Sequence, residues 1–327
     1  MVVPTLAADD ALAECLRSLT NQTFEPFEVI VVDNSGTRRA KVDDARMRVI
    51  ANDRNVGFGA AINQGIRAST ARYIATLNDD AVAGSSWLEK LIGAAEKRSR
   101  AGMCASEVRL AETGKLDSAG MLMAGDGSSR QRGHGEDPEK FASMEDALFP
   151  SGSAALYRRE MLDQIGFFDE SFFLYCEDTD LGLRGRRAGW ECAYVSGAVV
   201  EHRYSHSAGR ATPLKAYYVE RNRLYTALKN LPLSMLLKSP VLTLARYFWH
   251  AVSLFQGRGK AAEFRAAGFS PAMLPFLVLR AHAALIFRMP GLIDERRRIL
   301  RAARMSDRDF RALLESNLIA IRQVAAL

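Results

Sequence analysis

With 327 residues, 48% of them hydrophobic and 25% charged, the chain is too long for one small domain. It suits one large soluble α/β domain with an appendage and a sizeable core. Its four cysteines, Cys15, Cys104, Cys176 and Cys192, form no CxxC pair, which argues against a metal cage or a disulfide framework and for a reducing compartment. The net charge of +6 hides an asymmetry: residues 1–210 hold 25 Lys and Arg against 31 Asp and Glu, whereas residues 211–327 hold 19 against 7.

The opening MVVPTLAADD has neither a basic n-region nor a long apolar run and is not read as a secretory leader. DDALAECLRSLTNQ (9–22) predicts a helix, because Leu12, Cys15, Leu16 and Leu19 share one face and Asp9 or Asp10 can cap its start. FEVIVVD (27–33) is continuously apolar and β-branched, as a strand buried on both faces should be. MRVIA (47–51) is a short second strand, and GFGAAINQGIRAS (57–69) opens on glycines and continues as a small-residue helix. RYIATL (72–77) predicts a third strand with Asn78, Asp79 and Asp80 at its carboxyl end. SSWLEKLIGAAEKR (85–98) is another helix.

Alternating strands and helices predict a mostly parallel sheet covered on both sides, with the ligand beyond the carboxyl ends of the strands. Asp33 and the Asn78–Asp80 run both fall at such ends. Residues 111–147, including GDGSSRQRGHGEDPEK, are polar and glycine-rich and read as a surface loop. FPSGSAALYRR (149–159) reads as a strand entered through a Ser-Gly-Ser turn. Residues 177–188 form a helix closed by Gly189, and ECAYVSGAVVEH (191–202) is a strand pair ending in Glu201 and His202.

The motifs FEVIVVDNSG, NVGFGAAINQGI, RYIATLNDDA, FFLYCEDTDLGLRGRRAGW and AVVEH resemble, in order and spacing, those of the family 2 glycosyltransferases, bacterial enzymes of the GT-A fold. The resemblance covers roughly residues 2–230 and is nearest the rhamnosyltransferase-like branch that builds cell-wall and surface polysaccharides. It implies a GT-A domain, and the change of charge and texture at about residue 211 bounds that domain at 1–210 and leaves a basic, amphipathic helical extension over 211–327. It also implies an inverting transfer of a sugar from a nucleotide diphosphate to an acceptor hydroxyl.

By that resemblance Asp80, the last acid of a DXD-like motif whose first position is Asn, binds Mg²⁺ or Mn²⁺ together with His202. Oxygen ligands shared between few carboxylates and substrate phosphates suit either ion. Asp178 resembles the catalytic base, and Glu177 supports the acceptor or orients the helix start. Asp180 reads as an i,i+4 partner of Arg184. Asp33 and Asn34, with Pro4, Thr5, Asn55, Gly57, Asn63, Asn78 and Asp79, fall where relatives hold the nucleotide. Trp87, Gly152 and Ser153 fall where they shape the acceptor pocket, and Arg203 and Arg210 could grip a phosphate. Aromatics at 172–175 can shield Asp178 from water, which raises a carboxylate's pKa, whereas a helix start lowers it.

The expected donor is a dTDP- or UDP-sugar, dTDP-rhamnose first, and the expected acceptor is a glycan or a polyprenyl-diphosphate-linked sugar. Past residue 211 three helix-like apolar stretches carry interspersed Lys, Arg or His, and no run of 18 uncharged apolar residues occurs. Their basic character suits the inner face of a membrane, giving a cytoplasmic, peripheral enzyme. The other reading of these faces is a helical subdomain or a homo-oligomer interface. The chain has no zinc module or regular aromatic-basic interleave, so nucleic acid is not an expected partner. The alternative to catalysis is a non-catalytic relative that binds a nucleotide sugar or a divalent cation.

Overall fold

The computed structural model describes residues 1–203 and 211–326. The first half alternates strand and helix: β1 (Val2–Thr5), α1 (Asp10–Thr20), β2 (Val29–Asp33), β3 (Met47–Ala51), α2 (Phe58–Arg67), β4 (Tyr73–Leu77), β5 (Ala81–Ala83) and α3 (Trp87–Lys97). Then come β6 (Ala101–Leu110), the three-residue strands β7 (Leu116–Ser118), β8 (Met121–Met123) and β9 (Ser129–Gln131), β10 (Ala154–Arg158), α4 (Arg159–Ile165), α5 (Glu177–Arg187) and β11 (Glu191–His202). The remainder is helical: α6 (Pro213–Asn230), α7 (Leu233–Leu236), α8 (Ser239–Phe255), α9 (Gly259–Ala266), α10 (Met273–Arg301), α11 (Asp307–Glu315) and α12 (Ile321–Ala326).

A nine-stranded sheet runs in the order β3-β2-β1-β4-β10-β6-β11-β5, with β7 on β6. β3, β2, β1 and β4 are parallel, and β10 enters antiparallel between β4 and β6. The unbroken apolar run of β2 follows from its place in this sheet. Val29 and Val31 pack with α1 and α3 on one face, and Ile30 and Val32 with Ile62 and Ile66 of α2 on the other. Asp9 caps α1 by accepting from the Ala11 N–H at 3.1 Å, as its sequence predicts. Gly189 closes α5 at φ +88°.

Three sequence expectations are corrected. Residues 111–147 are not a plain surface loop, because β7, β8 and β9 lie within them and Leu116, Asp117, Met123 and Asp126 are buried. ECAYVSGAVVEH is one strand, not a pair: β11 runs parallel to β6 through a register shift between Val195 and Val199, and its far end pairs antiparallel with β5. Finally, α10 is long and apolar enough to cross a membrane by length and composition, once isolated charges are tolerated, and most of its apolar stretch is not buried.

The helical part meets the sheet domain at α5. α6 packs against α5 and α10, and α8 against α9 and α12. The chain end returns to β8, where the Met123 N–H donates to the Asn317 carbonyl and the Ile319 N–H to the Met123 carbonyl.

Candidate active site

Strand register assembles the acidic edge. β10 pairs Ala154 with Leu77, and the Asn78 N–H donates to the Ser153 carbonyl at 2.9 Å, so the Ser151–Ser153 turn sits beside the end of β4. β11 pairs His202 with Ala81, which brings its imidazole to Asp80, with Nε2 3.2 Å from the carboxylate Oδ1. The other ring nitrogen, Nδ1, lies 2.8 Å from Asp117 Oδ2 on β7. Burial alone would lower the His202 pKa, but the bonds to Asp117 and Asp80 outweigh it and hold it at about 9.

Asp178 stands in the first turn of α5. Its Oδ2 accepts from the Gly152 N–H at 2.8 Å and its Oδ1 from the Thr179 N–H at 2.6 Å. Burial nevertheless outweighs these bonds and raises its pKa above the ordinary carboxylate value, so of the two opposing influences on this acid, desolvation wins. Glu177 is pushed further, to about 8, by burial and then by the Asp178 charge, and its Oε2 has no hydrogen-bond partner. At about 8, the Glu177 pKa favours the neutral carboxyl near pH 7.

The backbone before α5 is held in an unusual form. Phe173, Tyr175 and Cys176 all have positive φ, at 63°, 70° and 66°. The Asn222 side chain of α6 clamps this turn by donating to the carbonyls of Phe172, Leu174 and Tyr175 at 2.7–2.9 Å. Arg221 donates to Ser171 and Phe172. From the other side the Phe58 N–H donates to the Phe173 carbonyl at 2.7 Å. Gly57 has φ +92°, and a Cβ there would meet the Phe173 carbonyl oxygen at 2.5 Å, so glycine is required by the crossing chain. Beneath, Lys229 of α6 joins Asp169, Asp180 and Glu295 at 2.5, 3.0 and 3.1 Å, and Asp180 also takes Arg184 at 2.8 Å, the i,i+4 pair read from the sequence. The aromatics thus belong to a fixed ledge that presents two carboxyls to a cleft.

That cleft has a volume of about 950 Å³. It brings together Pro4, Thr5, Asn34, Asn55, Gly57, Asn78, Asp79, Asp80, Gly152, Ser153, Glu177, Asp178 and His202. Asn34 braces its floor, donating to Asn55 Oδ1 and the Gly57 carbonyl and accepting from Asn52 and the Val56 N–H. Asp79 has its pKa raised by burial, against a hydrogen bond with Thr5.

Three expected residues are placed elsewhere. Trp87 is fully buried in α3, with Nε1 donating to Ser106 Oγ at 2.9 Å, so it packs the core and cannot meet an acceptor. Asn63 exchanges hydrogen bonds with the backbone of Phe168 and so fixes the segment leading to α5. Asp33 is fully buried, and its carboxylate accepts from the Ser35 and Ala40 N–H groups, both at 2.9 Å, which shapes the loop after β2. Arg203 pairs with Glu14 on the surface, and Arg210 lies outside the described residues.

The residues absent from the sequence reading are Asp117 and Asn222, whose partners lie 85 and about 50 residues away along the chain. Among the described residues no group of three or more His, Cys, Asp and Glu is arranged to hold a metal ion. Asp80 and His202 are the two residues that could hold an ion, one that completes its shell with substrate phosphate oxygens and water. The bond from His202 Nδ1 to Asp117 directs Nε2 toward Asp80, and with the imidazole pKa held at about 9 an ion there would have to displace the Nε2 proton.

Solved structures share this GT-A fold. S. aureus TarS in complex with UDP-GlcNAc matches with a TM-score of 0.54 at 16% identity over 96% of this chain and 90% of that one. The mannosyltransferase PcManGT from Pyrobaculum calidifontis, in complex with GDP-Man and Mn²⁺, matches at 0.51 and 15% identity over 92% and 84%. The chain belongs to glycosyl transferase family 2, whose pattern it matches over residues 1–166. It is 30% identical over 247 residues to an N-acetylglucosaminyl-diphospho-decaprenol L-rhamnosyltransferase of Mycobacterium tuberculosis, covering 67% of this chain and 80% of that protein.

The unpaired Glu177 yields a stability test. Its pKa is near 8 in the fold against 4.5 ordinarily, so the unfolded chain ionises first and the native state is progressively penalised between about pH 4.5 and 8. Glu177→Gln is expected to raise Tm relative to the parent at pH 8–9 and to leave it level near pH 4. Thermal melts at the two pH values check the sign.

Proposed function

We propose that the protein transfers a sugar, with rhamnose from dTDP-rhamnose as the first candidate, to a hydroxyl of an N-acetylglucosamine carried on a polyprenyl diphosphate, with inversion. The observation that carries this reading is the convergence of Asp80, His202 and Asp178 on one cleft. Asp178, anchored by Gly152 and Thr179 and shielded by the 172–175 ledge, takes the proton of the attacking hydroxyl, and its raised pKa makes it a stronger base than a solvated carboxylate. Neutral Glu177 can donate a hydrogen bond to the acceptor without adding a second negative charge. Pro4, Thr5, Asn34 and Asn55 bind the nucleotide, and Asp80 and His202 would hold Mg²⁺ or Mn²⁺. When bound, that cation neutralises the departing diphosphate.

Incubating the full chain with radiolabelled dTDP-rhamnose and N-acetylglucosaminyl-diphospho-decaprenol tests the proposal. Label should move into the lipid fraction, and no transfer from any of a panel of dTDP- and UDP-sugars would sink it.

The same reading places the protein peripherally on the inner membrane face. α8 and α10 expose Phe248, Phe255, Phe276 and Phe287, at 61–91% of their surface, on a region with 19 basic residues against 7 acidic. The protein is expected to float with anionic vesicles at low salt and to be released as salt rises. Failure to float at low salt removes the membrane from the account.

A further inference from the structure

The cleft does not end at Asp178. It continues between α6, α8, α9 and α10, where its lining changes character. Tyr247, Leu254, Phe264, Leu274 and Val278 give it an apolar wall. Arg130 of β9, Lys215 of α6 and Lys260 of α9 also line it, three cations from distant parts of the chain. Lys215 lies 5.4 Å from the ring centre of Tyr175, on the ledge that carries Asp178, so this group adjoins the catalytic segment. Arg130 is fixed by donating to the Val324 carbonyl at 2.8 Å, and Lys260 bonds Glu263 at 3.0–3.1 Å. Burial, then the charges of Lys260 and Arg130, lower the Lys215 pKa to about 8.

We propose that this branch seats the diphosphate and first isoprenoid units of the acceptor lipid, with the phosphates on Arg130, Lys215 and Lys260 and the hydrocarbon against the wall formed by α8, α9 and α10. The assignment rests on the lipid-linked acceptor reading above. Three features favour this occupant. The cavity, at about 950 Å³, is at the upper end for a single small ligand and has room beyond a nucleotide sugar. Its lining joins a cationic group to an apolar wall, the two halves of a diphospholipid. The helices that make the wall also expose Phe248, Phe255 and Phe276, which suits a ligand whose far end stays in a bilayer.

The probe is farnesyl diphosphate, titrated calorimetrically into the full chain in detergent, with farnesol and UDP in separate titrations. Lys215→Met and Lys260→Met are each expected to weaken farnesyl diphosphate about 10–100-fold, the loss of one charged hydrogen bond, with farnesol and UDP affinities held within about threefold. Lys215→Arg and Lys260→Arg, which keep the charge, should stay near the parent and so separate lost binding from lost folding. If the Met variants bind farnesyl diphosphate as the parent does, or weaken UDP as much, the assignment is overturned; in the second case the cations serve the donor. A parent chain that transfers no sugar yet binds farnesyl diphosphate in this lysine-dependent way would refute the transferase reading and leave the subsite standing.

Discussion

Asp178→Asn is expected to lower kcat for sugar transfer by about 10²–10⁴-fold, the usual contribution of a general base, and to leave UDP affinity within a few fold. The amide keeps the side chain's size but cannot accept a proton. It also has one acceptor oxygen where the carboxylate uses both, on the Gly152 and Thr179 N–H groups, so one of these donors must face an NH₂. Some stability is therefore lost with the rate, and melting curves should accompany the kinetics. The pH profile distinguishes a base from a structural anchor. If Asp178 is the base, kcat/KM of the parent should fall as pH drops through its raised pKa, because only the carboxylate takes the proton. In Asp178→Asn the residual rate should lose that acidic limb. A variant as fast as the parent, or a slow one with the limb unchanged, would remove Asp178 from the role of base.

Much of this site was legible because its elements are short-range. The β-branched run of β2, the capped face of α1 and the acids at the end of β4 carry their own signals, and strand ends in such a sheet face the ligand. The placement of Asp178 at a helix start came from local pattern, as did its partner-forming neighbour Asp180.

What escaped was long-range. β6, reading AGMCASEVRL, is buried over its first eight residues but begins with small residues that lack the β-branched signature, so pairing with β10 and β11 creates the strand. Residues 111–147 look like a loop because their polar groups are not matched locally. Asp117 meets His202, Asp126 meets Arg223 and Arg246, and Arg130 reaches Val324. Polarity there marks buried pairing, which a single sequence does not display. Trp87 and Asp33 show the converse: position in a motif suggested a ligand, and the fold gives them internal partners, Ser106 for Trp87 and the Ser35 and Ala40 N–H groups for Asp33.

Asp117→Asn is expected to weaken Mn²⁺ binding in the presence of UDP about 10–100-fold, the usual cost of losing the carboxylate behind a metal-binding histidine. The carboxylate can only accept, so it fixes the proton of neutral His202 on Nδ1 and leaves the Nε2 lone pair toward Asp80. An amide can turn its NH₂ to Nδ1 and favour the opposite tautomer, with a hydrogen on the nitrogen that must bind the ion. His134, whose Nδ1 lies 3.2 Å from the other carboxylate oxygen, does not supply this function, because it contacts Asp117 and not the cleft. A second effect runs the other way. Asp117 helps hold His202 protonated up to about pH 9, so its loss also reduces proton competition at neutral pH. Titrations followed by Mn²⁺ electron paramagnetic resonance should therefore be run near pH 9.5 as well as at pH 7. The deficit should be larger at the higher pH, where the parent no longer has to expel a proton. Equal Mn²⁺ affinity in parent and variant at both pH values would show that His202 does not act as a ligand set by Asp117.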